Sequence, residues 1–71
     1  MFDLQQLLKN FIFDPENPEH NLSLAMHYDN IGQNASAISY YLRCAERVDE
    51  KIIQYQCLLR AAHCFEHRQE S

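Results

Sequence analysis

The sequence predicts an all-α fold of antiparallel helical hairpins. Apolar residues recur every three or four positions along most of the chain, which is the spacing of one helix face. No segment alternates with period two, and the 71 residues include one glycine, one valine and no threonine, so strands have little support. The predicted connections between the last three helices have two or three residues, which places successive helices antiparallel.

A proline-containing segment separates the first two predicted helices. The first helix, over residues 3–12, is predicted by a stripe of large apolar residues at Leu4, Leu7, Leu8 and Phe11. Pro15 ends this helix because proline disfavours a helical residue before it. Asn17 is a suitable cap for the second helix, with Pro18 at its first position and Glu19 in its first turn. This helix is expected to reach about Ile31.

The third and fourth helices are predicted to follow closely. Gly32 can adopt the positive φ that ends a helix, and Asn34 can cap the third helix, over residues 35–47. Asp49 is the predicted cap of the fourth helix. The apolar face of that helix is unusually wide, with Ile52, Tyr55, Leu59 and Ala62 on one stripe and Leu58, Ala61 and Phe65 beside it. A helix of this kind needs cover on more than one side.

Composition limits the classes of partner. The formal net charge is −4 and the six basic residues are scattered, so we expect no nucleic-acid partner. No stretch of 18 apolar residues and no basic, apolar leader is visible, so we expect no membrane partner and a cytoplasmic location. Cys44, Cys57 and Cys64 lie within apolar helical patterns and are expected to be buried, reduced thiols.

The chain also contains a weak internal repeat. A shift of 37 positions aligns four pairs of residues, namely Leu22 with Leu59, Ala25 with Ala62, Tyr28 with Phe65, and Asp29 with Glu66. These positions are spaced as one helix face with a small contact residue. Periods of 30 to 45 residues are typical of helical solenoids.

Residues 18–49 resemble a tetratricopeptide repeat (TPR). The large, small, aromatic and glycine positions of that motif are matched in order by Leu24, Ala25, Tyr28, Gly32, Ala37, Tyr41 and Cys44. The chain departs from the motif at two positions. Asn21 replaces the tryptophan favoured near its start, and Asp49 replaces the proline that usually closes it. The resemblance implies an N-terminal packing helix at 1–13 and a TPR-like region at 14–71, with one full unit and the first helix of the next.

This resemblance implies a non-catalytic scaffold that binds proteins or associates with itself. TPR-like units bury their apolar faces against neighbours, so Leu58, Ala62 and Phe65 are the expected surface for a second copy or a further repeat. The general pattern is also similar to helical modules at the N-terminus of some glycosyltransferase-like proteins of bacteria and phage. That similarity implies an alternative, an accessory module whose catalytic domain lies elsewhere.

The first helix of each TPR-like unit lines a concave surface, which implies a binding site for a protein or peptide. The residues assigned to it are Leu22, Met26, Asp29, Asn30, Leu59, His63, Glu66 and His67. The acidic side chains favour a basic peptide. Methionine on a helix is more often part of the core, so a core role for Met26 is the competing hypothesis.

One short motif offers a different function. His63, Glu66 and His67 match the H-x-x-E-H order of inverted zinc peptidases, in which two histidines one turn apart hold zinc. A peptidase needs a third protein ligand and a cleft, and no such ligand is evident downstream. We therefore expect no enzyme and no cofactor, with a small metal-binding helical protein using His63 and His67 as a further alternative.

Overall fold

A computed structural model describes residues 3–70, and the side chains of residues 3–67. It confirms the all-α prediction: the described residues form α1 (Leu4–Phe13), α2 (Pro18–Asn30), α3 (Asn34–Arg47) and α4 (Lys51–Glu70), with no strand among them. Met1, Phe2 and Ser71, which fall within the predicted segments 1–13 and 14–71, lie outside the described residues. These two segments remain predictions.

The helix starts agree with the predicted caps at one position and differ by one residue at two others. Asn17 caps α2, its side chain accepting a hydrogen bond from the Glu19 amide at 2.9 Å. Helices α3 and α4 begin at Asn34 and Lys51, so the preceding cap positions are Gln33 and Glu50. The predicted caps at Asn34 and Asp49 were therefore wrong. Adjacent residues at each helix start are polar, so the sequence did not distinguish between neighbouring cap positions.

Gly32 ends α2 in the way that its position predicts. Its φ is +79°, and the Gln33 amide donates to the Tyr28 carbonyl at 2.9 Å while the Gly32 amide donates to the Asp29 carbonyl at 3.1 Å. These two bonds form a Schellman motif, which satisfies carbonyl groups that the helix end leaves free. The turn sends α3 back along α2.

Small side chains form the core. Its central cluster contains four alanines, three cysteines and one tyrosine: Ala25, Ala37, Ala45, Ala61, Cys44, Cys57, Cys64 and Tyr41. Because these side chains are short, the helix backbones can approach closely and still fill the space between them. Helix α3 lies in the middle and packs against both α2 and α4, while α1 packs against α2.

Aromatic rings attach α1 to the rest of the domain. Tyr40 stacks on Tyr28 with ring centroids 5.7 Å apart, and Phe11 meets Tyr40 edge to face at 5.5 Å. The guanidinium of Arg43 lies 5.4 Å from the Phe11 ring centroid. Tyr40 is half-buried, because α1 supplies a ring that covers it.

Asn21, where the TPR motif favours tryptophan, is completely buried. Its Nδ2 donates to the carbonyls of Pro15 and Asn17, both at 3.0 Å, and its Oδ1 accepts from Arg43 Nε at 3.1 Å. One side chain thus joins the α1–α2 connection to α3. The same connection is held by Glu16, which accepts from Arg47 Nε at 2.6 Å.

Replacing Gly32 should destabilise the domain through backbone strain alone. A Cβ at this position would meet no atom within 4 Å, so the left-handed φ is the only obstacle. We expect Gly32→Ala to lower the free energy of unfolding by about 1–2 kcal/mol, and Gly32→Asn by less, because asparagine tolerates this region. Urea denaturation measures both. Equal stability of Gly32→Ala and the wild type would contradict the strain argument.

Asn21→Ala should lower the free energy of unfolding by about 2–3 kcal/mol, because it removes all three hydrogen bonds of a fully buried side chain. Asn30→Ala, at an exposed position of the same helix, is the matched control and should change stability by less than about 0.5 kcal/mol. Thermal or urea unfolding checks the pair. Similar losses in the two variants would show that the Asn21 network contributes little.

Candidate interaction surfaces of helices α2 and α4

One side of α4 presents large apolar side chains to solvent. The exposed fractions are 67% for Ile52, 64% for Tyr55, 47% for Leu58, 55% for Leu59 and 48% for Phe65. Ala62 is exposed among them. We call these six residues the outer stripe. It contains all three residues predicted as an interface, namely Leu58, Ala62 and Phe65.

The outer stripe is exposed because α4 buries its opposite side. Cys57, Ala61 and Cys64 are at most 5% exposed and belong to the core cluster, with Ile53 packed against it. At 100° per residue these positions share one face, and the outer stripe lies about half a turn away. Apolar residues thus occupy two sides of α4, and the described residues cover one of them.

A groove lies between α2 and α4, with Tyr41 of α3 at its floor. Its volume is about 300 Å³. It is lined by four residues of α2, one of α3 and four of α4, namely Leu22, Met26, Asp29, Asn30, Tyr41, Ile53, Gln56, Cys57 and Arg60. Met26 is 51% exposed, so the core hypothesis for this methionine was wrong.

The structure brings the α2 half of the predicted concave site together in the groove and places the α4 half outside it. Leu22, Met26, Asp29 and Asn30 all line the groove. Leu59, His63 and Glu66 lie around a separate depression on α4 with Arg60 and Ala62. His63 and His67 also approach the α2–α3 turn, beside Asp29 and Gly32.

Sequence reasoning missed Ile53, Gln56 and Arg60 as groove residues. The signal that could have found them is the stripe of Cys57 and Cys64, which were correctly predicted to be core. Side chains three or four positions apart on a helix are neighbours. A buried Cys57 therefore implies that Ile53 and Arg60 flank the α2–α4 boundary, whereas Leu59 points away from it.

Asp29 joins α2, α3 and α4 at one end of the groove. It accepts a hydrogen bond from Tyr41 Oη at 2.8 Å and pairs with Arg60 Nη2 at 2.5 Å. Burial alone would raise the pKa of Asp29, but the bonds from Arg60 and Tyr41 hold that pKa below its ordinary value. Burial, with the adjacent carboxylate, raises the pKa of Tyr41 to about 12. The carboxylate at this end of the groove is therefore ionised, and its charge is paired with that of Arg60.

The two histidines predicted as metal ligands do lie together. His63 Nε2 and His67 Nε2 are 3.0 Å apart on the exposed surface of α4. A structural zinc site requires four ligands and a catalytic one requires three. Among the described residues no group of three histidine, cysteine, aspartate or glutamate side chains is arranged to hold a metal ion.

The three cysteines are buried free thiols, as predicted. Cys57 Sγ donates to Cys44 Sγ at 3.3 Å across the α3–α4 interface. Burial is the main reason that the pKa of Cys44 is raised, and the Cys57 thiol raises it further. The neutral thiol is therefore favoured, which suits a packing role.

Comparisons with known proteins add no assignment. No family model, curated protein or solved structure matches this chain. None of the helices described over residues 3–70 is both long and apolar enough to cross a bilayer.

The Asp29 network should make stability depend on pH in a defined direction. Because the folded-state pKa of Asp29 is lowered, its stabilising contribution is present above its unfolded-state pKa and is lost as pH falls through the folded-state pKa. We expect Asp29→Asn to lower the free energy of unfolding by about 1–2 kcal/mol at pH 7, with the difference from wild type narrowing below about pH 4.

Urea unfolding at a series of pH values measures this difference. Asp49→Asn, at an exposed loop position, is the matched control for the loss of one carboxylate. A difference between Asp29→Asn and wild type that is the same at pH 3 and pH 7 would contradict the assignment of an ionised, hydrogen-bonded Asp29.

Proposed function

We propose that this domain is a non-catalytic scaffold that binds another protein chain through the outer stripe of α4. The observation that supports the proposal is the exposure of five large apolar side chains on one side of a 20-residue helix. Single exposed apolar residues are normal on a protein surface, whereas contiguous patches mark interaction sites.

Covering the outer stripe would affect the stability of the domain as well as binding. A chain of 71 residues buries about 60% of its unfolded surface and is only marginally stable alone. Covering an apolar side chain of this size contributes about 1.5–3 kcal/mol when burial is complete. A partner that covers the outer stripe and binds only the folded state therefore stabilises this domain.

The pattern of exposure on α4 also supports a TPR-like arrangement of this scaffold. The repeat pairs Ala25 with Ala62 and Tyr28 with Phe65. Ala25 is fully buried, while Ala62 is exposed and Phe65 is 48% exposed. In a stacked repeat these α4 positions would contact the next helix. An accessory module of a larger enzyme, such as a glycosyltransferase, would use the same surface against another domain.

The groove between α2 and α4 supports a second candidate function, the binding of a peptide side chain. Its volume of about 300 Å³ falls at the lower limit of ligand pockets. Leu22, Met26 and Ile53 supply apolar walls, and the paired charges of Asp29 and Arg60 bound one end. This arrangement favours an apolar side chain over the basic peptide that the acidic residues alone predict.

Photo-crosslinking tests the proposed interaction surface without knowledge of the partner. Leu59, on the outer stripe, is replaced by p-benzoylphenylalanine in cells that express the chain. Leu42, a 42% exposed leucine on α3, receives the same replacement as the matched control. We expect irradiation to give a discrete protein adduct from position 59 and little from position 42, because only the outer stripe is covered by another chain.

The adducts are detected by immunoblotting and identified by mass spectrometry. Equal circular dichroism of the two proteins shows that both fold. Absence of a protein adduct from position 59, or equal adducts from both positions, would overturn the assignment of the outer stripe as the interaction surface.

A further inference from the structure

The outer stripe carries opposite charges at its two ends. Lys51 lies in the first turn of α4, and Glu66 lies near the other end of the stripe; both side chains are exposed. At 100° per residue, both fall on the same side of α4 as Tyr55 and Ala62. The surface is therefore apolar along about 20 Å of helix, with a cation at one end and an anion at the other.

The outer stripe and the charges at its ends are complementary to those of a second copy of α4 that runs antiparallel. If α4 is laid antiparallel to a copy of itself, with the two-fold axis between Leu58 and Leu59, then Ile52 lies opposite Phe65 and Tyr55 lies opposite Ala62. Ile52 then meets an aromatic ring and Tyr55 a small side chain, while Leu58 lies opposite Leu59 beside the axis. The same register places Lys51 of each copy opposite Glu66 of the other.

A parallel pair of α4 helices lacks this complementarity. It would place Lys51 against Lys51 and Glu66 against Glu66, and like charges across an interface oppose association. The helix dipoles also favour the antiparallel arrangement, because each positive N-terminus then lies beside a negative C-terminus. Charge thus selects one of the two orientations that the apolar residues allow.

The exposed area of the outer stripe is large enough to bind a second copy of the chain. The accessible surface of the chain is 5111 Å², whereas a compact monomer of this length is expected to expose about 4,600 Å². From the exposed fractions, the outer stripe offers roughly 600 Å² per copy, so a dimer that covered all of it would bury about 1,200 Å² in total, the lower limit of a specific interface. A reversible dimer is expected at this size.

We infer that the chain forms a two-fold symmetric dimer in which α4 packs antiparallel against α4 of a second copy through the outer stripe. This inference rests on the proposed function, because it names the partner of the same surface. The second copy supplies the cover that a following helix would give in a stacked repeat. A C2 interface of this kind uses one patch twice.

Charge reversal tests the orientation. Sedimentation equilibrium gives the dimer dissociation constant at low salt for wild type, Lys51→Glu, Glu66→Lys and the double variant. Two equivalent pairs change from attractive to repulsive in each single variant, so we expect the constant to rise about 3- to 30-fold. The double variant restores both pairs with reversed sign and should return to within about threefold of wild type.

The controls separate this effect from net charge and from helix stability. Lys51→Glu makes the chain more negative and Glu66→Lys makes it less negative, so a net-charge effect would move the two constants in opposite directions. Each substitution also places a charge that the helix dipole favours, so neither should weaken α4. Lys9→Glu, on the exposed side of α1, repeats the charge change away from the stripe.

Each result has one meaning. Weakening in both single variants with recovery in the double variant supports the antiparallel dimer. A dimer whose constant does not respond to the single variants, or does not recover in the double variant, overturns the antiparallel register. A monomer at all concentrations overturns the second copy as the partner, while an adduct from position 59 to a different protein would leave the proposed interaction surface standing.

Discussion

Close approach of three helices through small side chains determines most of this structure. Ala25, Ala37, Ala45 and Ala61 occupy the contacts of α3 with α2 and α4, and larger residues there would force the backbones apart. A core of alanine and cysteine buries little apolar area per residue, however. The larger apolar side chains of α4 therefore lie outside this contact, which is why a small domain presents so wide an apolar surface.

Both ends of α2 could be predicted because each has a local cause. Asn17 and Pro18 start α2, and Gly32 ends it with a positive φ, so neighbouring residues alone determine these positions. The rotation of α4 could not be predicted in the same way. Apolar residues surround much of that helix, so apolar periodicity alone does not separate the side with Cys57 from the side with Leu59; only the expected burial of Cys57 and Cys64 does. This ambiguity misplaced the α4 half of the concave site.

The hydrogen bonds of Asn21 and Asp29 also could not be predicted from neighbouring residues. Asn21 and Asp29 are polar residues on a helix, which sequence patterns assign to the surface. Each is held by a partner far along the chain, Arg43 for Asn21 and Arg60 for Asp29. Only the packing of both α2 and α4 against α3 makes these bonds possible. The α2 side of the groove was predictable because it depends on one helix, whereas the ion pair that bounds the groove depends on two.

The core and the outer stripe are physically linked through α4. The buried side of this helix provides Cys57, Ala61 and Cys64, all small, so its attachment to α3 depends on close fit rather than on large buried area. Binding on the opposite side favours the folded state of α4, and by linkage it strengthens the attachment to α3. This domain would therefore be most stable when a partner covers the outer stripe, because the binding free energy then adds to the free energy of unfolding.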